Sequence, residues 1–260
     1  MKILILGNGW LGKMMAQDYV ADIYHGRIEH ITVHDMRGYD VVINAAAKTD
    51  IDWCERNRYA ALFNNALSAR HVAETAVLAG VRHVFISSAC IFESDDVKDV
   101  KYEDSKPNPK CFYAVTKWVG EELVREVNPG SMIVRIRLPI SSKPSPRNTI
   151  NKVITYKELV DTQESVTVIE DFIPALMALM EDWNFGTYHL INEDTISIPE
   201  IVGRFALPFK TISKETLRER MTDDGRAARV STIVGSKNAP LLPSIQLTID
   251  KIVEAYKMNL

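Results

Sequence analysis

KILILGNGWLG (2–12) is the stretch that decides the fold. Ile3, Leu4, Ile5 and Leu6 form an unbroken apolar run, the pattern of a short strand buried on both faces. It runs directly into Gly7, Gly9 and Gly12, a G-x-G-x-x-G turn, after which LGKMMAQDYV (11–20) can begin a helix. Such a turn lets the backbone fold tightly and approach a pyrophosphate, which then lies on the helix N-terminus. Gly7, Asn8, Gly9, Trp10, Leu11 and Gly12 are therefore the candidate seat of a dinucleotide.

Outward from this turn, short apolar runs alternate with helical patterns. DIYHG (22–26) reads as a second, weaker strand and DVVINAAA (40–47) as a buried one. ALFNNALSARHVAETAVLAG (61–80) reads as one helix stopped by Gly80, and HVFISS (83–88) as the next strand. A polar loop (94–110) leads to a helix at FYAVTKWVGEELVREV (112–127), broken by Pro129-Gly130 before SMIVRIRL (131–138). This alternation predicts an α/β fold, a Rossmann-type doubly wound parallel sheet with a smaller C-terminal substrate lobe. The Pro- and Ser-rich PISSKPSPRN (139–148) marks the change. The expected division is a dinucleotide-binding domain over 1–145 and a smaller lobe over 146–260, with 165–192 returning to the main sheet through GTYHLIN (186–192). The second strand ends His25-Gly26-Arg27 without a carboxylate. That favours NADP(H), with Arg27 meeting the 2′-phosphate.

The 260 residues, 46% hydrophobic, suffice for a sizeable core, and a net charge of −3 gives no reason to expect nucleic acid or a membrane as partner. KILILG is too short for a signal segment. The longest apolar stretch, FIPALMALM (172–180), falls well short of the roughly 20 residues that span a bilayer. Cys54, Cys90 and Cys111 are odd in number and lack metal-ligand spacing. The expectation is a reduced, cytoplasmic protein without disulfides or metal.

The chemistry concentrates in FISSACIFE (85–93) and YAVTK (113–117). Tyr113 and Lys117, four apart on a helix, share a face; Ser88 and Cys90, two apart on an extended strand, share another. A phenol beside an ammonium and a hydroxyl can protonate a carbonyl oxygen, since nearby positive charge favours the phenolate. The thiol exceeds what that reaction needs. Alone, a cysteine there is more often a small buried hydrophobe.

These motifs resemble the extended short-chain dehydrogenase/reductase family. The resemblance runs through the glycine turn, INAAAKTD (43–50), FISSAC (85–90), YAVTK (113–117) and GTYHL (186–190). It implies that Tyr113 exchanges the proton, Lys117 binds the nicotinamide ribose, and Ser88 holds the substrate oxygen. DWCE (52–55), CIFE (90–93), RLPISS (137–142) and PRNTINK (146–152) are similar to the bifunctional UDP-4-keto-6-deoxyglucose 3,5-epimerase/4-reductases, relatives of the dTDP-4-dehydrorhamnose reductases. That likeness implies a nucleotide-sugar substrate, Cys90 and Lys152 as epimerase residues, and Asn148 and Arg229 at the sugar diphosphate. It also implies a homodimer built on the 61–80 and 112–127 helices. Cys54, Cys111, Trp53 and Trp118 read as packing residues, and His189 as a strand residue without chemistry. The glycine turn is one residue shorter than in extended family members, and the segment before DVVIN is abbreviated. Two alternatives stay open: a 4-reductase without epimerase activity, and a non-catalytic NADP-binding regulatory subunit.

Overall fold

The apolar runs become the strands of one sheet. In the computed structural model, which describes residues 1–94, 96–223, 226–227 and 230–260, these are β1 (Ile3–Leu6), β2 (Asp22–Tyr24), β3 (Val41–Asn44), β4 (Arg82–Ser88), β5 (Met132–Ile136) and β6 (Gly186–His189). They pair in parallel in the order β6-β5-β4-β3-β1-β2. Alternate residues point to opposite faces. Ile3, Ile5, Val41, Ile43, Val84, Ile86, Met132 and Val134 pack beneath helices α1 (Trp10–Tyr19) and, from later in the chain, Ile169–Asp182. Leu4, Leu6 and Val42 meet helix α2 (Ser68–Ala79) on the other face. There Phe85 and Ile133 meet Val124 of helix α3 (Phe112–Val127). Burial on both faces makes these strands continuous apolar runs rather than alternating ones. The expected Rossmann-type fold is what the chain adopts.

The strand order reverses between β1 and β3, which creates a crevice beyond their C-terminal ends. β2 is the outer strand, only three residues long. Between it and β3 lie just the short helical turns Ile28–His30 and Val33–Met36. The abbreviated segment seen in the sequence thus leaves β2 as a sheet edge.

The 61–80 segment is not one regular helix. Arg58–Leu62 is α-helical, Phe63–Leu67 widens into a π-turn, and α2 follows at Ser68. The π-turn lets Asn65 turn inward, where its amide accepts from the Lys48 N–H (2.7 Å) and donates to the Lys48 carbonyl and Thr116 Oγ1 (both 3.0 Å). α3 crosses at this point on Gly120, where an added Cβ would stand 2.8 Å from the Asn65 carbonyl oxygen. Gly120→Ala should therefore destabilise the fold. The helix-propensity gain of about 1 kcal/mol is outweighed by overpacking against rigid backbone, about 1–3 kcal/mol or more. A lower Tm in thermal denaturation checks this.

After β5 the chain leaves the sheet and builds a second apolar core. Ile140, Ile150, Leu159, Val166 and Val168 meet Ile196, Ile201 and one stripe of the terminal helix Ile245–Met258: Ile245, Ile249, Ile252, Val253 and Tyr256. Short strand pairs tie this lobe together, among them Pro139–Ile140 with Thr167–Val168. Between its two portions, helix α4 (Ile169–Asp182) and β6 lie against and within the main sheet. Among the described residues, no helix is long and apolar enough to cross a membrane.

Candidate active site

Each glycine of the turn has a distinct reason to lack a side chain. Gly7 has φ +115°, and a Cβ there would lie 2.8 Å from the Ala46 nitrogen, so the turn leans directly on the backbone leaving β3. At Gly12 a Cβ would fall 2.0 Å from the Gly7 carbonyl oxygen, which seats α1 on the strand end. Gly9 is different: nothing lies within 4 Å of its missing Cβ, and it caps α1 without any side-chain hydrogen bond or acidic residue in the first turn. Asn8 and Gly9 are exposed, Trp10 and Leu11 half-buried. The first-turn N–H groups of a ten-residue helix thus face open space, which fits a pyrophosphate. Next to this turn, a cleft of about 400 Å³ is lined by Ala46, Ala47, Lys48, Trp53, Asn64 and Arg147 among others.

Ser88, Cys90, Tyr113 and Lys117 come together at the C-terminal end of β4. The strand ends at Ser88, and Ala89–Ile91 form a 3₁₀ turn. Cys90 therefore does not share a strand face with Ser88, as the sequence suggested. The Ser88 Oγ caps the turn, accepting from the Cys90 N–H at 3.2 Å, and the turn swings the thiol toward α3. Cys90 packs with Cys111, Ala114, Ala227, Ile51 and Tyr113. Ser88 hydrogen-bonds both the Tyr113 phenol and the Cys90 thiol.

Burial dominates the electrostatics of this pocket. It pushes the Cys90 thiol up to about 12, with Cys111 adding to the rise and Ser88, Arg137 and Lys117 opposing it. Burial also holds the Tyr113 phenol well above its ordinary value, reinforced by Cys90, Cys54 and Cys111 and opposed by Ser88. Lys117 is buried, donates to the Ile86 carbonyl at 2.9 Å, and sits 4.0 Å from the Phe85 ring centroid. Desolvation lowers it to about 8, against the upward pull of Glu121 and Cys90. Near neutrality the pocket therefore holds a protonated phenol, a protonated thiol and an ammonium: three proton donors around one hydroxyl.

Lys152 is exposed on the short helix Thr149–Val153, and Arg137 and Lys117 are cations that act on the Cys90 thiol. Asn148 is fully buried as the cap of that helix. Its Oδ1 accepts from the Ile150 N–H (3.1 Å), and its Nδ2 donates to the Ser141 (2.7 Å) and Lys143 (3.0 Å) carbonyls. Its amide thus holds the turn of its own loop together. Arg229 lies outside the described residues. Arg27 is exposed beyond β2 and pairs with Glu29, a carboxylate just past the strand end that the sequence seemed to lack.

Cys54 and Cys111 wall the Tyr113 pocket, and all three cysteines are buried thiols outside any disulfide. Trp118 packs beside Ile91 and Phe92, whereas Trp53 lines the cleft under the Lys48 ammonium, 5.5 Å from its ring centroid. His189 is buried between Arg135, which donates to its Nε2 at 3.1 Å, and the Gly235 carbonyl, 2.7 Å from Nδ1. Among the described residues no cluster of His, Cys, Asp and Glu could hold a metal ion.

Two residues of the site were not among those expected. Arg137, almost buried, donates to Glu164 Oε2 at 2.7 Å and the Val230 carbonyl at 2.8 Å. Arg147 reaches from the second lobe across the cleft to Thr49 Oγ1 at 3.2 Å. Both lie in stretches that carried the family resemblance, RLPISS (137–142) and PRNTINK (146–152), but their partners depend on non-local packing that no periodicity signals.

Comparison with known proteins agrees with this architecture. The chain is 30% identical over 225 residues to a trifunctional UDP-glucose 4,6-dehydratase/UDP-4-keto-6-deoxy-D-glucose 3,5-epimerase/UDP-4-keto-L-rhamnose-reductase of Arabidopsis thaliana, an alignment covering 79% of this chain and 34% of that protein. The chain thus spans about a third of the length of that relative. The crystal structure of the L780 UDP-rhamnose synthase of Acanthamoeba polyphaga mimivirus superimposes with a TM-score of 0.85 at 21% identity, covering 98% of this chain and 99% of that one. A dTDP-4-dehydrorhamnose reductase of Bacillus anthracis, solved in complex with NADP, gives 0.82 at 24% identity and covers both chains completely. These likenesses show the shared fold. The model of the RmlD substrate-binding domain matches residues 19–215, taking in β2 to β6, the Ser88–Tyr113–Lys117 pocket and most of the second lobe; the chain belongs to that family.

Proposed function

We propose that this chain is an NADPH-dependent reductase of a nucleotide-linked 4-keto-6-deoxyhexose, with UDP as the nucleotide. We propose further that the same pocket first epimerises C3 and C5, so that nucleotide-L-rhamnose is the product. The observation that carries this reading is the meeting of Tyr113, Ser88 and Cys90 in one pocket, beside Lys117 and close to an open glycine cradle. The named activities of the Arabidopsis and mimivirus relatives support the sugar and the nucleotide.

Gly7, Gly9, Gly12 and the first turn of α1 would hold the cofactor pyrophosphate, and Lys117 the nicotinamide ribose. Arg27 is the candidate for the 2′-phosphate. Its pair with Glu29 leaves the Arg27 side chain 73% exposed, so a phosphate can reach it from solvent. The NADP bound to the Bacillus anthracis relative supports the same preference. When bound, NADPH supplies the hydride.

The remaining work falls to the chain. Ser88 and Tyr113 hold the C4 oxygen and stabilise the negative charge that develops there. Tyr113 gives that oxygen its proton, and the Lys117 ammonium favours the resulting phenolate. In epimerisation the 4-keto group acidifies the protons on C3 and C5, and inversion needs an acid and a base on opposite faces of the ring. Cys90 is the acid on its face, since burial keeps its proton in place. Exposed Val77 and Leu78 on α2 support the proposed homodimer.

The Bacillus anthracis relative, a dTDP-4-dehydrorhamnose reductase, supports the narrower reading of a reductase alone. Incubation with UDP-4-keto-6-deoxyglucose and NADPH in D2O separates the two. L-rhamnose carrying deuterium at C3 and C5, identified by NMR, supports both activities. Reduction that occurs only after an added 3,5-epimerase has inverted the sugar removes the epimerase, and absence of NADPH oxidation on that epimerised substrate removes the reductase.

A further inference from the structure

Glu121 stands one helical turn beyond Lys117 on the same face of α3, and its carboxylate is fully buried. Oε1 accepts from Ser87 Oγ at 2.6 Å and Arg135 Nε at 2.9 Å; Oε2 accepts from Arg135 Nη2 at 2.6 Å and Arg125 Nη2 at 2.9 Å. Ser87 and Arg135 are register partners on β4 and β5, and His189 is the partner of Arg135 on β6. Two neighbouring strands thus present polar side chains to one carboxylate on the helix that covers them, and the third backs Arg135 through His189. Such a buried pair is no better for stability than well-packed apolar residues. The question is what it does for its neighbours.

Ser87 lies between Ile86, whose carbonyl holds the Lys117 ammonium, and Ser88, which holds the Tyr113 phenol. Through that one residue, Glu121 ties the helix carrying Tyr113 and Lys117 to the strand end carrying both of their partners. We propose that Glu121 is a positioning residue of the reductase, keeping Lys117 charged and in register with the end of β4. This rests on the reading of Tyr113 and Lys117 as the reductase pair.

The groups around Lys117 can be followed element by element. α3 itself supplies Tyr113, Glu121 and Arg125, and the 3₁₀ turn supplies Cys90. β5 supplies Arg135, whose Nη1 points away toward His189 and the Glu103 carbonyl. β6 supplies His189, which burial lowers to about 4 and so keeps neutral. The Glu103 carboxylate is engaged by the His189 N–H, Ser236 and the Lys237 N–H. Of these, Glu121 is the largest influence holding the Lys117 proton against desolvation, with Cys90 second. Lys117 is an ammonium below about 8, so reduction should fall as pH rises through that value. Without the Glu121 charge, the fall moves to lower pH.

The test uses the full chain labelled with an NMR-active isotope at lysine Cε, the Lys117 resonance being identified by its loss in Lys117→Arg. In Glu121→Gln the Lys117 titration should move down by at least about one pH unit, the usual weight of a close opposite charge. The upper limb of the kcat/KM profile should move with it, while KM well below the limb stays nearly constant. Glutamine leaves Arg135 uncompensated, and that charge would itself depress Lys117. Glu121→Gln combined with Arg135→Gln removes both charges and should retain the shift. Glu121→Asp, which keeps the charge, should restore most of it. An unchanged Lys117 titration in folded single and double variants overturns the proposal, as does loss of fold in both, which would make Glu121 a stability residue. A shifted titration in a chain that reduces no sugar nucleotide leaves Glu121 standing and refutes the proposed function instead.

Discussion

Tyr113→Phe is expected to lower reduction of the 4-keto sugar by about 10²–10⁴-fold, the range for losing a positioned general acid. Phenylalanine preserves the ring and its packing near Cys90 and Cys111, so folding and cofactor affinity should be nearly unchanged. What disappears is the strongest oxygen acid in the cluster. Ser88 keeps its hydrogen bond from the Cys90 N–H, but its aliphatic hydroxyl is a far weaker acid than a phenol, and Lys117 is committed to the Ile86 carbonyl. Single-turnover NADPH oxidation, with NADPH binding followed separately by fluorescence, measures both quantities. Turnover within a few-fold of the native chain would remove Tyr113 from the chemistry.

Cys90→Ala is expected to divide the two proposed activities. Exchange of C3 and C5 protons with solvent should fall by about 10²–10⁴-fold, the range for losing a positioned acid–base group. Reduction of substrate that has already been epimerised should stay within a few-fold, since Ser88, Tyr113 and Lys117 are untouched. The thiol contacts Ala114 and Cys111, so the cavity left is small and a modest stability loss of about 1 kcal/mol is expected. Deuterium incorporation followed by NMR gives the first rate and NADPH oxidation the second. Exchange that survives in Cys90→Ala assigns the acid elsewhere.

The fold was legible because its signals are local. KILIL followed by three spaced glycines specifies a buried strand, a tight turn and a helix start within eleven residues, and the structure uses each glycine differently. What the sequence concealed depended on distant partners. The π-turn at Phe63–Leu67 exists with α3 crossing at Gly120, 53 or more residues away. HVFISS (83–88) ends where β4 ends, but Cys90 does not continue the extended strand, because period-two alternation carries no sign of the turn that Ser88 caps. Asn148 was assigned by its place in a motif, and the three local bonds of its amide show only in the fold. Glu121 stands in plain view: Tyr113, Lys117 and Glu121 have one i, i+4, i+8 spacing, but the partners that give the third its place lie on β4 and β5.

The route of the chain has a last consequence. β5 is followed by the second lobe, yet its neighbour β6 arrives only at residue 186, after much of that lobe has been made. A cut at the apparent boundary near residue 145 would therefore strip β5 of its outer partner and expose a row of unpaired peptide groups along Met132–Ile136. The same cut removes α4, whose Phe172, Ile173 and Leu176 cover one face of the sheet. The nucleotide-binding half cannot be harvested as a self-standing module: expressed alone it should aggregate, and expressed beside the missing half it should recover by strand complementation. The two lobes are separate in core but woven in sequence, so a cut that spares one takes a strand or a covering helix from the other.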